Sequence, residues 1–370
     1  MNRLFAGYLN ALLLCAACLG SSQVLTASFS ELYETYRGAR DSKNWSLALS
    51  SSEEALAEGL RSFDIRGENV ANLRMNYARE LLRDGQNELA TVQLELSLKS
   101  KVAYHGRQSS ELIDVLVELA NSTVATNTRQ ALKYYRRVLK IVKGQGNELV
   151  EAKITLNAGL RLAKAGELKA ASGYLRDAYG FYTRRYGNGD IRAGLAGLNL
   201  GQIEFANEEN DEALKMLTSA LEAFKSPEPA ARQLDSATRK SLVQVLETME
   251  MRDAATEHVI AYALANAVEG YANPTVLYQG KRIAPLAALT PRDSSGVERV
   301  GGDLSVIIYF DVDENGFAVN PTIAESTSKA LSNTAIRIVS SRRYSPRIAD
   351  GEPVVSRGLM FRYSLNSTIR

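Results

Sequence analysis

The stretch GLRLAKAGELKAASGYLRDA, residues 159–178, carries the spacing from which most of the chain can be read. Take Ala171 as the reference. Gly159 lies twelve positions before it, Gly166 five before, Leu175 four after and Ala178 seven after. Small residues at those offsets let two antiparallel helices cross closely, and a glycine between them tolerates the tight turn that joins them. The same alanine recurs at Ala48, Ala90, Ala131, Ala171, Ala213 and Ala255, with successive spacings of 42, 41, 40, 42 and 42. Twelve before each stand Tyr36, Ala78, Leu119, Gly159, Gly201 and Val243. Four after come Ser52, Leu94, Tyr135, Leu175, Leu217 and Val259, and seven after come Ala55, Ser97, Val138, Ala178, Ala220 and Tyr262. Six occurrences at a nearly constant period point to stacked helix pairs, with a slight slip between the third and fourth.

This pattern resembles the tetratricopeptide repeat, whose unit is about 34 residues. The longer period implies a lengthened second helix, as in Tyr174 to Tyr186 before the break at Gly187-Asn188-Gly189. The cleanest units are 151–186 and 193–225. The last, 236–265, is the most degenerate and reads as a cap whose outer face meets water. Such repeats present a groove lined by first helices, which maps to Asn72, Met75, Arg79, Lys153, Leu156, Leu198 and Gln202. Those residues read either as a peptide-binding groove or as the ordinary surface of a spacer.

Composition narrows the function classes. Lys+Arg 44 against Asp+Glu 42 leaves a net charge of +2, without the concentrated basic excess that a polyanion selects, so nucleic acid is not an expected partner. Both cysteines, Cys15 and Cys18, fall in the first twenty residues, and only His105 and His258 supply imidazoles. No nucleophile–base set and no metal-ligand spacing stands out, so the chain reads as non-catalytic, with neither cofactor nor metal. Asp303, Asp311 and Asp313 cluster, but Asp311 and Asp313 share a strand face without an acid–base partner, and turn chemistry accounts for Asp313.

At the N-terminus, Arg3 precedes the apolar run Leu4 to Leu19 and the small residues Gly20, Ser21 and Ser22. Residues 1–22 thus read as a secretory signal, being short for a membrane-spanning helix. Two alternatives stand beside it: lipidation at Cys18 after Cys15-Ala16-Ala17, and retention as a membrane anchor. Residues 28–265 form the repeats. Residues 266–300, with Pro274, Gly280, Pro285, Pro291 and Gly296, read as a linker leading into the next domain.

In residues 301–366, Leu304, Val306, Ile308, Phe310 and Val312 alternate on one strand face. Asp313-Glu314-Asn315-Gly316 makes a hairpin turn. Phe317 to Ile323 returns as a strand, which Pro321 pushes to an edge or bulge. A helix over 329–343 follows, with Leu331, Ala335, Ile338 and Val339 on its apolar stripe and Arg337, Arg342 and Arg343 at its negative end. Residues 353–363 close as a last strand. The expected fold is mainly α: a tetratricopeptide-type solenoid, then a small α+β domain of order ββαβ.

Gly302 to Tyr363 resembles the TonB C-terminal domain family. The likeness rests on Phe310-Asp311-Val312-Asp313 with Asn315-Gly316, on Asn320-Pro321-Thr322-Ile323, and on Arg343-Tyr344-Ser345-Pro346, Gly351-Glu352-Pro353-Val354 and Phe361. The resemblance implies a final strand that pairs through its open edge with an extended segment of an outer-membrane transporter. Residues 355–361 would be that edge, with Val355, Arg357, Leu359 and Phe361 as its contacts. Arg357 and Arg362 equally fit charges that block unwanted strand addition. The energy transducers of that family carry a spanning helix and a proline-rich rod, and both are altered or missing here. The expectation is therefore a periplasmic adaptor of a Gram-negative bacterium, binding protein or peptide partners such as an outer-membrane transporter or an envelope protein, with membrane association through its N-terminus. The alternative is a TonB-type energy transducer supporting outer-membrane transport.

Overall fold

The computed structural model describes residues 28–225, 229–267, 274–280 and 304–365. The expected signal at 1–22, Cys18 included, lies outside them. The chain divides into two compact units between Ser122 and Thr123.

The first unit holds α1 (Phe29–Asp41), α2 (Trp45–Ser62), α3 (Glu68–Arg83), α4 (Asn87–His105), a 3-10 turn (Ser110–Leu112) and α5 (Ile113–Thr123), whose last residue opens the second unit. The second begins with α6 (Thr128–Gly144), α7 (Glu148–Lys164), α8 (Leu168–Tyr186), α9 (Ile191–Ala206), α10 (Asn210–Ala223), α11 (Pro229–Thr248) and α12 (Arg252–Ala265). Each reference alanine is the fourth residue of α2, α4, α6, α8, α10 or α12, and all six are fully buried. The crossings are tight. A Cβ at Gly159 would come within 2.7 Å of the Leu175 side chain, and one at Gly201 within 2.6 Å of Leu217. Glycine is needed there because the partner leucine occupies the space.

Helix starts follow from local chemistry. Asn44, Asn127, Asn147 and Asp190 each accept a hydrogen bond from a first-turn backbone N–H of α2, α6, α7 and α9. The interhelix turns share one geometry. Lys43, Gly85, Gly166, Glu208 and Glu250 all have left-handed φ, between 58° and 83°. The residue after each donates to the carbonyl five positions back: Asn44 to Ala39, Gln86 to Leu81, Glu167 to Leu162, Glu209 to Glu204 and Met251 to Leu246. These bonds satisfy carbonyls at the end of the preceding helix. Sequence reading marked this position only where it is glycine. α8 ends at Tyr186, and Gly187 with φ 83° turns the chain out.

The C-terminal part comprises β1 (Val276–Tyr278), β2 (Leu304–Val312), β3 (Ala318–Ser326), α13 (Lys329–Ser340), β4 (Arg343–Tyr344), β5 (Arg347–Ala349), β6 (Glu352–Val354) and β7 (Ser356–Leu365). An antiparallel sheet of order β3-β2-β7 is covered on one face by α13. Val306, Ile308, Phe310 and Val312 meet Leu331, Ala335 and Val339 in that layer.

Four expectations change. The helix stops at Ser340, so Arg342 and Arg343 lie beyond it and Arg343 begins a buried strand. The last strand is not one piece over 353–363. Asp350 and Gly351, with φ of 52° and 80°, close a hairpin of β5 and β6, and β7 starts afterwards. Two consecutive left-handed residues give the turn twist that a tight hairpin prefers. Third, the span read as a linker contains β1, which pairs with β4. Last, the final helix pair does not leave its outer face to water, because Leu277 of β1 is buried against Val243 of α11 and Val259 of α12.

Candidate functional site: the edge strand and its support

Among the described residues, β7 is the last strand of its sheet. Along it, Leu359, Phe361 and Tyr363 pack toward the α13 layer, while Met360 and Arg362 stand exposed on the opposite face. The ladder with β2 is regular from Leu304↔Leu365 to Phe310↔Leu359 and resumes at Val312↔Ser356. Arg357 and Gly358 together oppose Asp311, which makes a bulge, and Gly358 adopts the left-handed φ of 69° that the bend requires.

Asp311 holds this bend. Its Oδ1 accepts the Gly358 N–H at 2.9 Å, and its Oδ2 accepts from the Asn320 side chain at 3.2 Å. Asn320 lies on β3 with φ 54°. One carboxylate on the central strand thus ties irregularities in both edge strands. The Gly358 N–H first, then Asn320, hold its carboxyl below the usual range. An acceptor role explains Asp311 without catalysis.

Of the four expected edge residues, Val355 falls between β6 and β7, and Arg357 sits in the bulge. Leu359 and Phe361 belong to the regular run, but their side chains are engaged with the core. The Arg342 guanidinium covers the Phe361 ring at 4.7 Å. The straight open edge therefore begins at Leu359 rather than at Val355.

The sheet is fastened to α11 and α12. Thr275 and Ser345 exchange two hydrogen bonds: the Thr275 N–H donates to Ser345 Oγ at 3.0 Å, and the Ser345 N–H donates to the Thr275 carbonyl at 2.8 Å. Arg343 donates to Glu247 of α11, to Thr256 of α12 and to the Asn315 carbonyl. Gly316, at the turn between β2 and β3, lies so close to Val259 that a Cβ there would come within 2.9 Å of it, and within 2.1 Å of the Tyr344 carbonyl oxygen. Its φ of 86° also demands glycine, whereas Asn315 takes an ordinary φ. Sequence reading missed Arg343 and Leu277. The signals available were a basic residue just before Tyr344-Ser345-Pro346 and the apolar triplet Val276-Leu277-Tyr278.

The expected groove residues scatter. In the first unit Asn72 is half-buried, Met75 is buried, and Arg79 bridges Glu118 at 3.1 Å and Asp114 at 3.4 Å. In the second, Lys153 and Gln202 are exposed, and Gln202 donates to Ser241 at 3.1 Å. Leu156 is buried, and Leu198 belongs to the core with Leu217 and Leu242. Met75, Leu156 and Leu198 are therefore packing residues, because the first helices turn those positions toward their neighbours. A cleft of about 650 Å³ between α6, α7 and α8 uses other residues, among them Lys143, Thr155, Tyr174, Phe181 and Arg184.

Residues 299–365 match the family model of the Gram-negative bacterial TonB protein C-terminal region. Among solved structures, BtubC (BKLC) from P. vanneervenii is similar at 19% identity and a TM-score of 0.48, over 72% of this chain and 98% of that one. Nearly identical TPR-like repeats assigned to a kinesin light chain of Podosopora anserina are similar at 15% identity and a TM-score of 0.45, over 52% of this chain and 92% of that one. No curated protein matches the chain. The chain thus joins a series of paired helices to a small sheet domain, and residues 299–365 match that C-terminal family model. Among the described residues, no helix is long and apolar enough to cross a membrane.

Proposed function

We propose that the protein is a non-catalytic adaptor of the Gram-negative envelope, acting in the periplasm, that captures an extended protein segment by strand addition to β7. The observation that carries this reading is the sheet order β3-β2-β7, in which β7, among the described residues, pairs with β2 on one side only. A one-sided strand leaves main-chain N–H and C=O groups able to accept a guest strand, and side chains on either face then set its preference. The match of residues 299–365 to the TonB C-terminal model supports it. The repeats hold a second protein partner in this scheme.

A photoreactive residue at Met360, exposed beside the open edge, tests the proposal in cells. Crosslinks to an extended segment of an envelope protein are expected, and a proline in that segment should abolish them by removing a ladder donor. Capture confined to an outer-membrane barrel, together with an uncleaved N-terminus, would favour the transducer alternative. Crosslinks that persist unchanged with the proline variant would refute strand addition.

A further inference from the structure

The chain has two histidines, and one of them, His105, lies at the meeting point of three helix ends. His105 is the last residue of α4, Glu68 the first of α3, and Glu111 the middle of the 3-10 turn that leads into α5. Their ligand atoms lie within 4.8 Å of one another, and His105 Nε2 stands 3.1 Å from Glu68 Oε1. Gly106, with φ 84°, folds the chain back immediately after His105 and so allows Glu111 to return beside it. None of this serves the edge strand, which belongs to the other unit.

We infer that Glu68, His105 and Glu111 form a binding site for a divalent transition ion of the zinc class. The chemistry selects the ion. An imidazole nitrogen with two carboxylates suits Zn²⁺ or its first-row neighbours, whereas Mg²⁺ and Ca²⁺ prefer oxygen throughout. Two carboxylates beside one imidazole supply the anionic oxygens and the nitrogen that such a dication takes. Donors about 2 Å from a tetrahedral zinc stand roughly 3.3 Å apart, so His105 Nε2 and Glu68 Oε1, 3.1 Å from each other, already match such a shell. The exposed Glu111 carboxylate, within 4.8 Å of both, would complete the set by a side-chain rotation. Three protein ligands leave further positions for water. The ion would pin the segment between α4 and the 3-10 turn to the start of α3, so the site is a structural clasp within the first unit.

The test is zinc titration of the untagged full chain, followed by calorimetry and by Co²⁺ absorption. One ion per chain is expected, undisturbed by excess Mg²⁺, with visible Co²⁺ bands showing the nitrogen ligand. His105→Gln and Glu111→Gln should each weaken binding by at least about tenfold, the scale on which altered metal-site groups act, while circular dichroism stays unchanged. His258→Gln should leave binding intact. If His105→Gln unfolds the chain, the exposed Glu111→Gln variant and the Co²⁺ bands still decide. No saturable uptake at roughly hundred-micromolar zinc, or uptake indifferent to Glu111→Gln and His105→Gln, would overturn the site.

Discussion

Arg343 donates a hydrogen bond to the carboxylate of Glu247, ninety-six residues earlier in the chain, and both side chains are almost wholly buried. Thr256 and the Asn315 carbonyl take further donors of the same guanidinium, and the Phe317 ring lies 3.6 Å beneath it. Burial lowers the Arg343 pKa and Glu247 opposes that shift. The geometry fastens the sheet bearing β7 to the last helix pair, so a guest strand on β7 would be held in a fixed orientation to α11 and α12.

Removing one partner of such a pair leaves the other charged and unpaired in a dry site. Arg343→Met should therefore destabilise the second unit by about 3–5 kcal/mol, and Arg343→Met with Glu247→Leu should recover most of that loss. Urea unfolding of both variants measures it. Equal loss in the single and double variants would mean that shape, not charge, holds the junction.

The repeated left-handed turn gives a prediction of opposite sign. Glu208 has φ 67° where Gly166 occupies the equivalent place. A side chain in that region costs on the order of 1–2 kcal/mol, and the extra freedom of glycine when unfolded offsets part of the relief. Glu208→Gly should raise stability by about 0.5–1 kcal/mol, while Gly166→Ala should lower it by about 1 kcal/mol. Thermal unfolding that shifts both variants in the same direction contradicts this account of the turns.

At the bulge, Asp311 should matter through hydrogen bonding rather than chemistry. Asp311→Ala removes the acceptor of the Gly358 N–H, so exchange of that amide should quicken while the amides of the repeats keep their rates. Because the folded carboxyl is held below its ordinary value, the contact is complete above the unfolded pKa and is lost as pH falls through the folded one. Gly358 exchange that ignores both the substitution and acidification would show that the bulge is held by something else.

His258 provides a second pH dependence. Burial, and then the Arg239 guanidinium beside it, hold its pKa below the ordinary 6.5. The unfolded chain therefore takes up a proton before the folded one does. Stability should fall as pH drops below about 6.5, until the folded imidazole itself titrates. His258→Gln should flatten this part of the profile, and the difference between the two unfolding curves isolates the residue.

The repeats were legible because helix pairing imposes a periodic steric rule on the chain. A small residue must recur wherever two helices cross, so Ala48 through Ala255 announce themselves at a fixed interval. The alternation of Val306, Ile308, Phe310 and Val312 announced β2 in the same way. Residues whose role depends on a distant partner carried no such signal. Leu198 looked like a groove residue because its helix position fits one, and only packing against α10 and α11 shows it as core. Lys43, Glu208 and Glu250 hid a repeated turn geometry behind side chains that ordinarily avoid it.

Sequence alone therefore determined what local periodicity and turn chemistry can encode: the helix pairs, the strand alternation and the hairpin glycines. Tertiary structure decided the burial of Arg343, the fastening of Leu277 to the last helix pair and the point along β7 where the regular edge begins. Each of those depends on groups far apart in the chain. A one-dimensional pattern records which residues prefer burial, but not which surface will bury them.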